Sequence, residues 1–402
     1  MSDADPAAPR DEPSTTQPDP SKTPDREQQA REYEAIHNRL FVVRIGITVL
    51  ALVIYFFSGA SANLAEGLDA RFGDQWWWTN TIYILVTLFA FSALMFPLTL
   101  FGDYYLEHRY GLSRQTLNGW FSDYLKELAI DLLLTTLFLA IVYALLRASP
   151  DWWWAWTTAV YVLLAVVLSA VWPVWIMPLF HKFEPLDDDA LSRAVRAFAE
   201  ASGLEVLGVY RWGLEEKTET ANAALTGLGK TRRIILGDTM LEKYSKEEII
   251  SVLAHEVGHF KHRDIARMIV SGTVLAALGF YVAHRMLLLL VERFGFEQIG
   301  DIGAFPIFIF ALFIFSLISM PLSNAYSRRR EYAADAYAVR ATGSAGPLVG
   351  ALEKLADQNL ADKEPAPWIE FLLHSHPSIR RRIKHAQRLD EEGSTSAVQT
   401  ES

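Results

Sequence analysis

The residues best suited to chemistry in this 402-residue chain lie in one short run, His255-Glu256-Val257-Gly258-His259. This is the H-E-x-x-H pattern. On a helix the two imidazoles, at i and i+4, share one face and can grip a single metal ion. Glu256 sits beside them, placed to take a proton from an attacking water. Upstream, Ser245-Lys246-Glu247-Glu248 reads as a capping box and predicts a helix from there to about Lys261. The chain has no cysteine, which excludes disulfide scaffolds, thiol nucleophiles and thiolate metal sites.

A catalytic zinc keeps three protein ligands and one open position, so a third ligand must be His, Asp or Glu. The metzincin arrangement is excluded, because His262 and Ile265 stand where it needs glycine and histidine. The alternative is a carboxylate from a second helix. Glu331-Tyr332-Ala333-Ala334-Asp335 supplies two, one turn apart on the same face. One can ligate while the other hydrogen-bonds the far nitrogen of a ligand histidine and fixes its tautomer. Spacing alone leaves open which does which.

The elements that must hold these groups are mostly apolar. Hydrophobic residues make up 51% of the chain and charged residues 21%, with a mean hydropathy of +0.14, more apolar than soluble domains usually are. Six stretches reach the roughly 20 residues needed to cross a bilayer core: 41–59, 81–101, 128–148, 154–178, 266–291 and 304–325. Prolines at 97, 173, 306 and 321 fall within them, and neighbouring helices can accommodate such kinks. No repeat of fixed period appears. Arg44 and Asp131 lie near or within spans, close to the ends expected to face the cytoplasm, where snorkelling accounts for both.

Basic residues cluster in 102–127, after 180 and at Arg328-Arg329-Arg330, whereas the 60–80 and 292–303 loops hold one arginine each. The positive-inside rule then puts both termini and residues 181–265 in the cytoplasm. The clusters Trp76-Trp77-Trp78 and Trp152-Trp153-Trp154 fall at the opposite interface. Residues 1–38 carry six prolines and nine acidic against four basic residues, a composition expected to be disordered. A secretory signal would need a basic start followed directly by an apolar stretch, and this long acidic, proline-rich start is the opposite. Residues 390–402 are expected to be similarly loose. The net charge of −10 argues against a nucleic-acid partner.

Between spans four and five, Asp187-Asp188-Asp189 precedes Leu191, Val195 and Phe198 at helical spacing, and Gly203 follows as a stop. Segments 205–212 and 232–237 read as strands, with 219–226 extended between them.

Further runs accompany HEVGH and EYAAD. They are Glu107-His108-Arg109-Tyr110-Gly111-Leu112-Ser113-Arg114-Gln115-Thr116, Ala221-Asn222-Ala223, Thr226-Gly227-Leu228-Gly229-Lys230-Thr231-Arg232-Arg233 and His374-Ser375-His376-Pro377. With these, the chain from about Phe41 to Arg388 resembles the type I CAAX prenyl protease family, integral-membrane zinc metallopeptidases of the gluzincin type. The resemblance implies that His255, His259 and Glu331 bind one zinc ion, that Glu256 is the general base, and that Asp335 supports a ligand histidine. It places Asn222 and Ala223 on an extended segment lining the cleft, where substrate backbone pairs with an exposed edge. It also implies that His376 faces the metal and stabilises the oxyanion. Arg382 is a second candidate for that role and for substrate contact.

The expected architecture is therefore an α-helical polytopic membrane protein. About six transmembrane helices surround a chamber, with a small α+β zincin-like cytoplasmic catalytic section. Its parts are a tail at 1–38, helices one to four at 39–180, a section bearing the H-E-x-x-H helix at 181–265, helices five and six at 266–325, a third-ligand section at 326–389 and a tail at 390–402. Eukaryotic members of the family are described with seven spans. Matching the motif after the second span makes the first helix the missing one, and leaves closure of the chamber in question.

The reaction so implied is peptide-bond hydrolysis, with prenylated C-terminal tails as the family's named substrate and the lipid bilayer as partner. A broader quality-control protease like the HtpX group is the alternative, although those chains are shorter and have fewer spans. A scaffold or transporter that merely houses a metal would have no need of Glu256. The expected location is a bacterial-type inner membrane, since no organelle address is visible.

Overall fold

The computed structural model describes residues 23–186, 189–227 and 232–400. The expectations for 1–22, Asp187-Asp188, 228–231 and 401–402 lie outside the described residues. Among the described residues, six helices are long and apolar enough to cross a membrane: Arg26–Phe57, Trp76–Arg109, Leu117–Ala148, Trp153–Leu179, Asp264–Leu290 and Ile302–Thr342. Each contains most or all of one expected apolar stretch and runs beyond it. Leu133, Leu163, Leu289 and Ile318 stand exposed on their outer faces, as side chains do when hydrocarbon is the solvent.

In chain order α1 is Thr23–Phe57, α2 Ala60–Phe72 and α3 Trp76–Thr99. Pro97 lies inside α3, and the helix continues as π turns over Leu100–Leu106 before ending at Arg109. Proline removes one backbone donor and crowds the preceding turn, and π turns absorb such a defect without breaking the helix. Helices α4, Leu117–Ala148, and α5, Trp153–Val171, follow, and α5 likewise passes into π turns at Trp172–Ile176 around Pro173. The intramembrane core gathers Tyr83, Tyr143, Trp153, Phe280 and Phe308. Within its tryptophan cluster, Trp153 turns inward. It is fully buried, and its indole N–H donates to His284 Nδ1 at 3.1 Å. Trp77, Trp78 and Trp152 stay exposed.

The polar section begins with β1, Phe183–Pro185, then α6, Asp189–Ala201, β2, Gly208–Trp212, β3, Ala223–Thr226, and β4, Arg233–Gly237. The sheet order is β1-β2-β4-β3. β2 and β4 are parallel, while β1 and β3 are antiparallel edge strands. Helix α7, Asp238–Lys243, leads to α8, Lys246–Lys261, which opens with the expected capping box, Ser245 and Glu248 each bonding the other's backbone N–H. Val195, Val209, Ile234, Leu253 and Val257 form the core that fastens α6 and α8 to the sheet.

Helix α9, Asp264–Leu290, turns away from α8 at Arg263, whose φ of +54° is left-handed. A non-glycine residue there costs about 1–2 kcal/mol, so packing must hold the corner. Helix α10, Phe305–Thr342, has 38 residues, about 57 Å of helix. It therefore crosses the bilayer and projects beyond it as one rod. Glu331 and Asp335 are thus carried by the sixth span itself rather than by a separate helix after it. Helices α11, Gly346–Gln358, α12, Pro367–Leu373, and α13, Ile379–Thr400, close the structure.

Both tail expectations need correction where the structure describes them. Residues 23–38 belong to α1, because Ala30 and Tyr33 share a face that packs with Leu112, Tyr110 and Leu360. That stripe is short and its other residues are charged, so composition alone hides it. Residues 390–400 continue α13, where Arg388 and Glu392 form an i,i+4 pair at 3.7 Å. The two near-membrane charges have local partners: Arg44 lies 3.6 Å from Asp103, and Asp131 accepts a hydrogen bond from Thr135.

Candidate metal centre

The H-E-x-x-H helix and the long rod meet at Gly258. A Cβ there would stand 3.0 Å from Ala334 Cα and 3.1 Å from its carbonyl oxygen. Glycine therefore lets α8 and α10 approach closely enough for Glu331 and Asp335 to reach the histidines.

His255 Nε2 and His259 Nε2 face each other at 3.1 Å. Glu331 Oε2 lies 3.5 Å from the first and Oε1 3.4 Å from the second. One ligand atom from each of the three residues fits within 4.8 Å of the others. The outer nitrogens explain the orientation. His255 Nδ1 is 2.8 Å from Asp335 Oδ1, and His259 Nδ1 is 2.9 Å from Asp264 Oδ2. A ring that donates from Nδ1 leaves Nε2 as a lone pair. Once the Nε2 atoms give up any proton, two lone pairs and a carboxylate converge on one point, which is the donor set a divalent cation satisfies. The residues present fit a metal ion.

Electrostatics agree. Burial disfavours charge on His255, but hydrogen bonds to Asp335 and then Glu331 outweigh it and lift its pKa from 6.5 to about 9. His259 is also raised, against burial, chiefly by Glu331. The pair attracts positive charge at neutral pH, and a metal ion would bind by displacing protons.

Each supporting carboxylate is held by an arginine. Arg382 closes its fork on Asp335, Nε to Oδ2 at 2.9 Å and Nη2 to Oδ1 at 2.7 Å. Its Nη1 lies 3.5 Å from Glu331 Oε2. Only 7% of Arg382 is exposed, and its guanidinium pairs with these carboxylates while also lining the cleft in front of the centre. Asp264 receives Arg330 Nε at 2.6 Å. Neither Asp264 nor Arg330 stands out as a site residue from the sequence. The signal was an aspartate five residues past the second histidine, meaningful only once the corner at Arg263 turns it back. We predict that Asp264→Asn lowers metal affinity by roughly 10–100-fold, measured by competition with a chromophoric chelator. Unchanged affinity would mean that His259 is oriented by something else.

The centre opens into a cleft of about 580 Å³ that is also lined by Asn222, Ala223, Glu256, Asn359 and His376. Glu256 is half-buried, and its carboxylate has no hydrogen bond or ion pair among the described residues. His376 Nε2 stands 3.5 Å from Glu331 Oε1, while its Nδ1 is 3.0 Å from the Ser375 hydroxyl. If that hydroxyl donates, the imidazole N–H points toward the metal ligands. The structure thus brings together every site residue singled out in the sequence.

Two family models divide the chain. One, described as CAAX prenyl protease N-terminal, five membrane helices, matches residues 14–182, where the described residues include four helices of spanning length and the shorter α2. The other, peptidase family M48, matches residues 185–390. The chain belongs to peptidase family M48. A protein named uncharacterised metalloprotease YhfN, from Bacillus subtilis, is 27% identical over 93% of this chain and 88% of its own. CAAX prenyl protease 1 of Saccharomyces cerevisiae is 28% identical over 76% and 71%. The crystal structure of S. mikatae Ste24p superposes with a TM-score of 0.77 at 21% identity, covering 93% of this chain and 92% of that one, and so shares the fold. As an M48 member this chain is a multi-pass membrane metallopeptidase, a hydrolase of peptide bonds in peptide or protein substrates.

Proposed function

We propose that the chain is a zinc-dependent endopeptidase of the CAAX type, acting on prenylated C-terminal tails at the cytoplasmic face of a bacterial inner membrane. The observation that carries the site assignment is the pair of Nε2 atoms, each ring fixed from behind by a carboxylate, converging with Glu331. His255, His259 and Glu331 hold the metal. Bound there, zinc supplies Lewis acidity and lowers the pKa of water to about 7.

The chain's own groups do the rest. Glu256, with no hydrogen bond or ion pair among the described residues, takes the proton from the attacking water and returns it to the leaving amine nitrogen. His376 donates from Nε2 to the carbonyl oxygen as it becomes negative. Asn222 and Ala223 hold the substrate backbone against the β3 edge. Asp335 and Asp264 fix the two ligand rings, and Arg382 positions Asp335. The distribution of basic residues supports a cytoplasmic site.

The test is product mapping with one peptide sequence in farnesylated and unfarnesylated form, using the enzyme in liposomes. Farnesylation is expected to raise kcat/KM by about tenfold or more, the equivalent of only about two buried methylene groups. Equal rates would shift the reading to a quality-control protease without lipid selectivity.

A further inference from the structure

The segment leading into β3 has a pattern of backbone pairing that bears on substrate choice. Even-numbered residues face β4 and α7: Thr220 O accepts from Thr239 Oγ1 at 2.8 Å, and Asn222 O accepts from Gly237 N at 2.9 Å. A Cβ on Gly237 would stand 2.8 Å from that oxygen, so the close approach needs glycine. Lys217 O faces the opposite edge, and alternation along the extended segment turns the backbone groups of Glu219, Ala221, Ala223 and Leu225 the same way.

Along that edge the first three positions already have partners. Lys217 O accepts from Arg114 N at 3.0 Å, and Glu219 N donates to Leu112 O at 3.0 Å. Glu219 O accepts from Gln358 Nε2 at 2.7 Å. Ala221 is held at both groups by one side chain, its N–H donating to Asn359 Oδ1 at 2.9 Å and its carbonyl accepting from Asn359 Nδ2 at 3.3 Å. The carboxamide thus imitates a paired strand. Among the described residues, Ala223 and Leu225 have no partner on this edge, and Ala223 lines the cleft of the metal centre.

Asn359 is itself held in place. It caps α11, and the next residue, Leu360, has a left-handed φ of +51° where glycine is usual. Leu360 is 1% exposed and packs against Ala30 and Leu112, while Ala361 N bonds Ala356 O at 2.9 Å. Burial of the leucine keeps the strained turn, and the turn aims Asn359 at Ala221.

We propose that Asn359 is a specificity-determining stop that ends the substrate-binding edge at Ala223. Antiparallel addition is the commoner pairing and sends the peptide's C-terminal side toward Asn359. The N-terminal side then runs freely past Leu225, while only a short C-terminal segment fits beyond the scissile bond. A longer one must displace both bonds to Ala221. This rests on the peptidase reading of the metal centre and adds the length of the leaving segment to it.

The experiment compares two reporter peptides, one with a short C-terminal tail after the scissile bond and one extended by several residues. Purified wild type, Asn359→Ala and Asn359→Asp are assayed, with products identified by mass spectrometry. Wild type is expected to favour the short peptide by about tenfold, the order of two hydrogen bonds lost without replacement. Asn359→Ala should bring the two rates together or spread the cleavage positions. Asn359→Asp keeps the acceptor for Ala221 N–H and so a tethered turn, and should fall between. A length ratio in both variants equal to that of wild type, or a wild type indifferent to length, overturns the stop. Absence of cleavage of either peptide by metal-loaded wild type overturns the peptidase reading, and the stop with it.

Discussion

Glu256→Gln is expected to keep its metal and lose nearly all turnover, with kcat falling on the order of 10³-fold. The replacement has the same shape, and no ligand contacts are altered. What disappears is a carboxylate that can accept a proton. The wild-type side chain makes no hydrogen bond or ion pair among the described residues, so its removal leaves no buried partner stranded and the fold should be unaffected. The measurement pairs metal content with cleavage of a reporter peptide by the same preparation. Cleavage at the wild-type rate would remove Glu256 from the mechanism.

Glu331→Gln is expected to abolish metal retention. Glu331 is 6% exposed and is the only carboxylate within 4 Å of both ligand Nε2 atoms among the described residues. Without its charge, two imidazoles remain beside the Arg382 guanidinium. The loss of affinity should exceed the roughly 10–100-fold typical of a supporting residue, so metal should wash out during size-exclusion chromatography and activity should go with it. Full metal occupancy in the variant would show that Glu331 is not a ligand.

The two variants differ from changes to Asp335 or Arg382 for a physical reason. Asp335 is completely buried and shared between His255 and the Arg382 fork. Removing either partner leaves an uncompensated buried charge, which typically costs about 3–5 kcal/mol. Loss of activity in such variants would therefore mix unfolding with loss of function, whereas Glu256→Gln separates them.

Much of this centre was legible in the residues because its parts are local. Two histidines four apart on a capped helix share a face whatever surrounds them, and Glu331 and Asp335 do the same on theirs. Apolar stretches long enough to cross a bilayer announce themselves by length and composition. The start of α1 is hidden in the sequence because its apolar stripe, Ala30 and Tyr33, lies among charges and is buried only by Leu112 and Leu360, far along the chain. The hold of Arg382 on Asp335 is hidden likewise, since whether a guanidinium pairs with a buried aspartate depends on packing.

By itself, then, the sequence determined a six-span membrane protein with a metal-binding helix and a matching carboxylate pair, because helical spacing and hydropathy are properties of neighbours. Tertiary structure alone decided that the sixth span and the ligand helix are one rod, that a left-handed Arg263 turns Asp264 back onto His259, and that Asn359 occupies the edge beside Ala223. Each of those depends on where separate segments come to rest against one another, and no local pattern encodes that.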